Sequence, residues 1–478
     1  MQFFFALTFA LFSATVFAQE QWKKATARKG LTPDIDKFYK PPIGWQDKKP
    51  GEILRWREIE PKFLYSDFKV KEAYQLLYRT SWNNASQPSY TVTTVLVPYN
   101  ARNDTLVAGL EAMDANAPQC APSYGFLGGA LDQASDGFSL DEIEMLPYLT
   151  MGHILTVPDH EGPKYAFAAG RLEGLMTLDG IRATLNFEKL GLGKNTKVAG
   201  YGYSGGALTL GWAAALHPSY APDINAVGWA FGGTPTDVNA TINHASGGLL
   251  SGFLISGVMG VVTAYSNVYD YALEQLTGAG LAARRYALSH CWQDVIVKYA
   301  FTDIRTKHYA KRGSKIFDTP AIQQIFNELK MYHNKNDTPK APVLMYHAKN
   351  DEVIPYKEAL LTAKTWCSHG ADVHFITYDS PVLEHATTEV TATARSVEFL
   401  RDRLNGKAKP GKCQYEYSNT ALFQPGVLGS DLQNAFQTIL DVFGQKVGPG
   451  DKILKSNIMK KHKAANGGKH KRQQALRF

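Results

Sequence analysis

Ser204 lies between glycines in residues 202–206, which read Gly-Tyr-Ser-Gly-Gly. In a Gly-x-Ser-x-Gly pattern the serine occupies a sharp turn where side chains at the glycine positions would clash, so its hydroxyl points outward. A hydroxyl held in this way can attack a carbonyl carbon. The pattern alone is weak, because a serine among glycines more often marks an ordinary loop.

The residues on either side of this motif predict the two elements that a nucleophile elbow needs. Val198, Ala199 and Tyr201 fit a buried strand before the turn, and the apolar run 207–214 fits a buried helix after it. The first N–H groups of a helix lack partners within the helix, so the Gly205 amide is predicted to donate a hydrogen bond to an oxyanion.

A serine hydroxyl is a poor nucleophile at neutral pH, so it needs a histidine as base and a carboxylate that orients the histidine. On this type of elbow the acid and then the histidine follow the serine along the chain. Asp351 fits the acid, because it follows an apolar strand predicted at 342–347 and precedes a helix. Glu352 is the alternative acid. If Asp351 is not catalytic, its side chain would simply form an Asx turn. Asp337 and Asp372 fit less well.

His385 is the candidate base, because it follows the last predicted strand and begins the last long helix. His347 is a rival through its nearness to Asp351, but its place inside an apolar strand indicates a core residue. His160 precedes Ser204 in the chain and is predicted to shape a loop.

These residues require a sheet that brings distant loops together. An irregular segment is predicted up to Pro61, and then a hairpin formed by 73–80 and 90–98. From residue 106 strands and helices alternate, which indicates an α/β fold with a mostly parallel central sheet. The remaining predicted strands are 106–112, 154–158, 226–231, 342–347 and 373–378, and the helices are 167–190, 357–369 and 387–404.

The alternation stops between 234 and 338, where helical and glycine-rich sequence predicts an inserted helical lid. Within it, residues 247–265 carry no charge. We reject a transmembrane span there, because it would cut the sheet between the elbow and the strand at 342–347. A pair of buried core helices and a mobile apolar cover that opens at a lipid surface both remain open as interpretations.

The composition predicts an exported globular protein. The chain has 478 residues, 44% of them hydrophobic, which suffices for one large domain with insertions or for two domains. Residues 1–18 are apolar and end in small residues, as a signal peptide does. The four cysteines of the chain fit an oxidising compartment and permit three disulfide pairings. Four buried, unpaired thiols are the alternative. The candidate glycosylation sites are Asn84, Asn103, Asn239 and Asn336.

Positive charge is concentrated at the end of the chain. Residues 451–478 hold nine Lys or Arg and one Asp, whereas the whole chain carries a net charge of +7, so the remainder is about neutral. We expect a disordered tail, with adhesion to an anionic surface or trimming as its possible roles. No nucleic-acid partner is expected, nor any metal or cofactor, and we expect a monomer.

Motifs along most of the mature chain resemble those of the fungal secretory lipases, the family typified by Candida antarctica lipase A and the secreted Candida lipases. They run from about residue 38 to 432. The motifs are Phe38-Tyr-Lys-Pro-Pro, Asp114 followed by Cys120-Ala-Pro-Ser-Tyr, Asp159-His-Glu-Gly, the elbow, Tyr220-Ala-Pro, Gly232-Gly-Thr-Pro, Asp351-Glu-Val-Ile-Pro, Glu384-His and Leu428-Gly-Ser-Asp-Leu. The basic tail is longer and more charged than this family leads us to expect.

The resemblance implies an α/β-hydrolase fold and hydrolysis of triacylglycerol esters without a cofactor. It implies that Ser204, Asp351 and His385 form the triad, and that the backbone N–H of Asp114 is the second oxyanion donor beside Gly205. It also implies disulfides between Cys120 and Cys291 and between Cys367 and Cys413.

Taken together, these predictions divide the chain into six parts. They are a signal peptide at 1–18, a core at 19–233 with an N-terminal wrap, a lid at 234–338, the second part of the core at 339–410, a C-terminal flap at 411–450 and the basic tail at 451–478. A secreted carboxylesterase or a peptidase on the same fold is the nearest alternative function. An inactive secreted binding or adhesion protein is the alternative from another class.

Overall fold

A computed structural model describes residues 20–25, 31–63, 66–67, 70–83, 86–128, 140–380, 384–408 and 411–418. The predicted signal peptide, the basic tail, the Leu428 motif and Asn84 lie outside the described residues. The strands are β1 Glu20–Ala25, β2 Ile53–Ile59, β3 Lys62–Phe63, β4 Ser66–Asp67, β5 Glu72–Ser81, β6 Pro88–Val97, β7 Thr105–Leu110, β8 Ile154–Pro158, β9 Lys197–Tyr203, β10 Ala226–Gly232, β11 Val343–Ala348, β12 Val373–Tyr378 and β13 Gln414–Ser418.

Helices cover the sheet and fill the segment between β10 and β11. They are α1 Pro122–Gly125, α2 Leu140–Thr150, α3 Gly170–Leu185, α4 Ser204–Tyr220, α5 Val238–Ala245, α6 Phe253–Ala264, α7 Ser266–Gln275, α8 Gly278–Ala287, α9 Trp292–Lys298, α10 Pro320–Glu328, α11 Tyr356–Ser368 and α12 His385–Leu404.

The central sheet is mixed and mostly parallel, as the alternating pattern predicted. Its eleven strands lie in the order β1-β2-β5-β6-β8-β7-β9-β10-β11-β12-β13. The pairs β2–β5, β5–β6 and β6–β8 are antiparallel, and the other described pairs of this sheet are parallel. Because β7 to β12 run the same way, the loops after their carboxyl ends meet at one edge of the sheet.

The helical insertion leaves the sheet continuous. β10 and β11 are hydrogen-bonded neighbours, although α5 to α10 separate them in the chain. Residues 247–265, predicted as a helix pair or an apolar cover, contain the single helix α6. Among the described helices, none has the length and hydropathy needed to cross a bilayer.

Two segments differ from the sequence predictions. The chain before Pro61 is not irregular throughout, because β2 forms at Ile53–Ile59 and pairs with β5. The close spacing of proline and glycine ends at Gly51, which adopts φ +79°, and the seven residues of β2 contain neither type. At the other end, β13 extends the sheet from within the segment predicted as a flap, and residues 419–450 lie outside the described part.

Candidate active site

Strand β9 and helix α4 meet at Ser204, in the strand–turn–helix order that the sequence predicted. Ser204 has φ +51°, a left-handed conformation that is strained for a residue with a side chain. The neighbouring glycines are needed for space. A Cβ on Gly206 would lie 2.1 Å from the Leu110 carbonyl oxygen, and one on Gly202 would lie 2.6 Å from the Gly206 oxygen.

The structure brings Ser204, His385 and Asp351 into one chain of hydrogen bonds. Ser204 Oγ lies 2.8 Å from His385 Nε2, and His385 Nδ1 lies 2.7 Å from Asp351 Oδ2. Asp351 follows β11, and His385 is the first residue of α12. In this geometry the imidazole can accept the hydroxyl proton while the carboxylate stabilises the resulting cation.

The Asp351 carboxylate is fixed by several donors. Its Oδ1 accepts hydrogen bonds from the N–H groups of Val353 at 2.9 Å and Ile354 at 2.7 Å. His347 Nε2 lies 3.2 Å from Asp351 Oδ2. His347 is therefore a buried residue, as predicted, that contacts the acid and not the serine. Burial disfavours the carboxylate, but His385 and His347 outweigh this effect and hold the pKa of Asp351 well below its usual range.

His385 is also held through its backbone. Its N–H donates to Glu352 Oε2 at 2.9 Å, and its carbonyl accepts from the Tyr203 hydroxyl at 2.8 Å. Glu352, the alternative acid, thus contacts the histidine backbone and not the ring nitrogen. Burial disfavours the imidazolium, but the charges of Asp351 and then Glu352 outweigh it and raise the pKa of His385.

Asp114 faces the elbow, where the resemblance placed an oxyanion donor. It is buried and has φ +47°. A Cβ on Gly205 would lie 1.8 Å from Asp114 Oδ1, which shows how closely the two segments approach. Neither the Asp114 amide nor the Gly205 amide has an acceptor among the described residues. Local sequence gives no strong signal for this site, beyond the tolerance of aspartate for positive φ.

Carboxyl groups are concentrated beneath this site. Burial, and next the charges of Asp141 and Glu173, raise the pKa of Asp114 to about 7. Burial also raises the pKa of Asp141 to about 7. Its Oδ2 accepts a hydrogen bond of 3.0 Å from the Ala112 N–H, in the segment that leads to Asp114. In the folded protein both carboxyl groups therefore keep their protons to higher pH than an exposed aspartate does.

We expect the free energy of unfolding to fall as pH rises, and Asp141→Asn to flatten this fall. The pKa of Asp141 is higher in the folded than in the unfolded chain, so its contribution is complete below about pH 4 and is lost as pH rises through about 7. Asparagine keeps the acceptor for Ala112, so up to about 4 kcal/mol of pH dependence should disappear. Urea unfolding at pH 4 to 7 measures it, with the exposed Asp318→Asn as control. Identical pH dependence in Asp141→Asn and wild type would contradict the expectation.

One carboxylate group in the described residues has the spacing of metal ligands. Candidate oxygen atoms of Asp141, Glu144 and Glu389 lie within 4.8 Å of one another, and all three residues are buried. The Glu144 oxygens already accept hydrogen bonds from the Tyr201 and Thr393 hydroxyls. We therefore assign no ion to this group.

An apolar cavity opens beside Ser204. It has a volume of about 600 Å³ and its lining includes Asp114, Ser204 and Gly205. A second cavity of about 900 Å³ lies among the helices of the insertion, with an almost wholly apolar lining. The two cavities share three lining residues, which are Val238, Ile242 and Val258. The two cavities therefore lie side by side, and the one at the serine is itself lined in part by α5 and α6 of the insertion.

The four cysteines form two disulfides, with the pairing that the resemblance implied. Cys120 is bonded to Cys291, which ties the segment after Asp114 to the helical insertion, and Cys367 is bonded to Cys413, just before β13. Among the candidate glycosylation sites within the described residues, Asn103 and Asn336 are exposed and Asn239 is partly buried. Their glycosylation stays a prediction.

Comparison with known proteins identifies close relatives. Residues 135–411 match the model of a family described as secretory lipase. A protein of Malassezia furfur named a secreted triacylglycerol lipase is 48% identical over 433 residues, which cover 90% of this chain and 88% of that protein. A protein of Malassezia restricta, also named a secreted triacylglycerol lipase, is 44% identical over 431 residues, which cover 90% of this chain and 92% of that protein.

The comparison with solved structures supports the predicted fold. The crystal structure of Candida antarctica lipase A has a TM-score of 0.77 at 29% identity and covers 85% of this chain and 95% of that one. A rice cell wall degrading esterase from Xanthomonas oryzae has a TM-score of 0.56 at 16% identity, covering 76% and 100%, and this match bears on the fold alone. The predicted α/β-hydrolase fold is confirmed. With 48% identity along most of both proteins, the chain belongs to the secretory lipase family.

Proposed function

We propose that this enzyme is secreted and hydrolyses triacylglycerols, with Ser204 as nucleophile, His385 as base and Asp351 as the orienting acid. One observation carries the proposal: a serine hydroxyl 2.8 Å from an imidazole nitrogen opens into an apolar cavity that continues into the helical insertion. The relatives named secreted triacylglycerol lipases agree with it.

In the first half of the reaction, His385 Nε2 takes the Ser204 proton as Oγ attacks the ester carbonyl carbon. The carbonyl oxygen becomes an oxyanion, which accepts hydrogen bonds from the Gly205 and Asp114 amides. Loss of one such donor typically costs about 3 to 4 kcal/mol of transition-state stabilisation. The imidazolium then protonates the departing glyceride oxygen as the ester bond breaks, leaving an acyl group on Ser204.

In the second half, a water molecule attacks the acyl-enzyme and gives its proton to His385 Nε2. The fatty acid leaves as the proton returns to Ser204 Oγ. Asp351 keeps its charge throughout, because its low pKa prevents protonation by the imidazolium. No step requires a metal or an organic cofactor.

The acyl chain is proposed to lie in the cavity at Ser204 and to continue into the neighbouring cavity. From Ser204 it passes the shared residues Val238, Ile242 and Val258 and enters the space between the helices of the insertion. A lining with few polar atoms favours a long alkyl chain, because burying it removes apolar surface from water. It offers little to a peptide chain, whose amide groups would be left without partners.

Three further proposals concern the surroundings of this site. Residues 234–338 act as a cap over the acyl chain, and α6, which carries no charged side chain, lines part of the cavity beside Ser204. The basic residues 451–478, which carry a net charge of +8, hold the enzyme near anionic lipid or cell wall. We also propose that the enzyme acts as a monomer, because one chain supplies every group used in the reaction.

We expect Val258→Phe to reduce hydrolysis of long-chain esters far more than that of short-chain esters. Val258 lies where the two cavities meet, so a larger side chain blocks the deeper cavity and leaves Ser204 accessible. We compare kcat/KM for a palmitate ester with kcat/KM for the butyrate ester of the same alcohol. The ratio of the two values should fall by about tenfold to a hundredfold. Val258→Ala, which widens the same point, should keep the preference for long chains. An equal loss on both esters in Val258→Phe would contradict the proposed path.

The substrate class is tested with the wild-type enzyme. Release of fatty acid is followed by pH titration on emulsified triacylglycerols from tributyrin to triolein, beside dissolved short-chain esters and amides of the same acids. The proposal expects turnover of emulsified long-chain substrates and far slower turnover of the amides. Cleavage of dissolved short esters alone, or of peptides, would replace the lipase assignment by that of an esterase or a peptidase.

A further inference from the structure

The segment from Glu111 to Ala115 places the Asp114 amide at the site, and buried side chains hold it on both sides of Asp114. His160 Nε2 lies 2.9 Å from the Glu111 carbonyl oxygen. The Ala115 N–H donates to Glu161 Oε1 at 3.4 Å. His160 and Glu161 are consecutive residues in the turn that follows β8, so one rigid turn contacts both ends of the segment.

The second nitrogen of His160 reaches the other half of the site. His160 Nδ1 lies 2.9 Å from Thr209 Oγ1, and Thr209 belongs to α4, the helix that begins with Ser204. The Thr209 hydroxyl donates to Glu173 Oε2. A carbonyl oxygen can only accept, so His160 Nε2 donates to Glu111. Both ring nitrogens of His160 are therefore hydrogen-bonded, one to the segment and one to α4.

The His160 ring lies beside the buried side chain of Glu173. His160 is 1% exposed and Glu173 is fully buried, with His160 Nδ1 3.5 Å from Glu173 Oε2. Burial disfavours the charged ring, but the hydrogen bond and charge of Glu173, and next the Glu111 carbonyl, outweigh it and raise the pKa of His160. The carboxyl groups whose charge acts on the ring are Glu173 on α3, Asp114 on the segment itself, Asp159 in the turn and Asp141 on α2. The interaction with Glu173 thus favours the doubly protonated ring.

We propose that His160 is a positioning residue that sets the separation between the two oxyanion donors, Asp114 and Gly205. One of its nitrogens binds the segment that carries the Asp114 amide. The other binds, through Thr209, the helix that carries the Gly205 amide. The inference rests on the proposed hydrolysis, because it concerns the groups that stabilise the oxyanion in that reaction.

Because the imidazole ring is rigid, it fixes the distance between its two hydrogen-bond partners, the Glu111 carbonyl and the Thr209 hydroxyl. Oxyanion donors act only when they lie within hydrogen-bond distance of the position that the oxyanion will occupy. Asp114 has a left-handed conformation, and its amide has no acceptor among the described residues, so the neighbouring bonds must hold it in place. A displacement of this segment therefore changes transition-state stabilisation more than binding of the acyl chain, because Asp114 is the one residue of the segment that lines the proposed acyl path.

Two substitutions of His160 separate its two bonds. His160→Gln places an amide N–H near the position of Nε2 and keeps the bond to Glu111, whereas His160→Asn reaches only the position of Nδ1 and loses it. We expect His160→Asn to lower kcat on a dissolved ester by about 10² to 10³-fold, the effect of losing one oxyanion donor, with KM changed by less than about twofold. His160→Gln should stay within about tenfold of wild-type kcat.

Binding of an alkyl boronic acid provides a direct measure of the oxyanion site. It forms a tetrahedral adduct on the serine, so its inhibition constant should rise in His160→Asn by about the same factor as kcat falls. A merely structural role would lower the unfolding temperature and leave this constant unchanged. Equal kcat in the two variants, a rise in KM alone, or unchanged boronic acid binding in His160→Asn would each overturn the inference.

A second pair of variants applies if the His160 variants do not fold. Thr209→Val removes the link between His160 and α4, and Thr184→Val removes an equally buried hydroxyl far from the site, where it bonds Thr156 and the Gly180 carbonyl. We expect Thr209→Val to lower kcat by about threefold to tenfold, as His160→Gln does, and Thr184→Val by less than about twofold. Equal kcat in these two variants would overturn the inference. A wild-type enzyme without esterase activity would instead contradict the proposed function.

Discussion

Ser204→Ala is expected to lower kcat on triacylglycerol on the order of 10⁶-fold, with little change in stability. Alanine supplies no nucleophile, so neither the acyl-enzyme nor the proton transfer to His385 can occur. Alanine keeps the same left-handed backbone that Ser204 adopts at φ +51°, and it loses one hydrogen bond of 2.8 Å to His385. The free energy of unfolding should fall by no more than about 1 kcal/mol.

Ser219→Ala is the matched control, because Ser219 is an exposed serine near the end of the same helix and its hydroxyl bonds only the Leu216 carbonyl among the described residues. It should keep full activity. A long-chain alkyl phosphonate should label wild type and Ser219→Ala with one adduct at Ser204, and it should not label Ser204→Ala. Residual activity above about 10⁻³ of wild type in purified Ser204→Ala would assign the nucleophile to another residue.

Asp351→Asn is expected to lower kcat by about 10⁴-fold with little change in KM. Two N–H groups, those of Val353 and Ile354, donate to Asp351 Oδ1, so an asparagine oxygen must occupy that position. Its NH₂ group then points to His385 Nδ1, where Oδ2 lies in wild type. The ring is forced to carry its proton on Nε2, and that nitrogen can no longer accept the Ser204 proton.

Glu352→Gln is the matched control for this variant, because Glu352 is the adjacent carboxylate and contacts the His385 N–H. At the pH optimum its kcat should stay within about tenfold of wild type. The Glu352 charge raises the pKa of His385, so its removal lowers that pKa, and the neutral ring persists to lower pH. The acid limb of kcat/KM should therefore move to lower pH. A larger loss of kcat in Glu352→Gln than in Asp351→Asn would exchange the roles of the two carboxylates.

The predictions that agree with the structure rest on patterns within a few residues of one another. The glycines around Ser204 and the apolar residues on either side predict a strand, a turn and a helix, and all three are present. Asp351 and His385 could be chosen because each lies in the segment between a strand predicted to be parallel to β9 and the helix after it. The carboxyl ends of parallel strands lie at one edge of the sheet. The positions of Asp351 and His385 after such strands therefore predicted that both lie near Ser204.

Other features depended on contacts between segments far apart in the chain. β2 was not predicted, since a short strand at the border of a proline-rich segment is stabilised by its pairing with β5. Asp114 came from family resemblance alone, because nothing in its own neighbourhood requires the close approach to Gly205. His160 was predicted only to shape a loop, and its bonds to Glu111 and Thr209 follow from the packing of that loop against α4.

The sequence by itself determined the elbow, the order of the three candidate catalytic residues and the alternation that builds a parallel sheet. Each of these follows from local backbone preferences and from the periodicity of apolar residues, which short stretches of sequence contain. Only the tertiary structure decided the left-handed backbone of Asp114, the contacts of the buried His160 ring and the apolar cavity that Ser204 shares with the helical insertion. These features share one physical reason. Burial, charge pairing and cavity shape arise where segments separated by many residues pack together, and no local pattern specifies that packing.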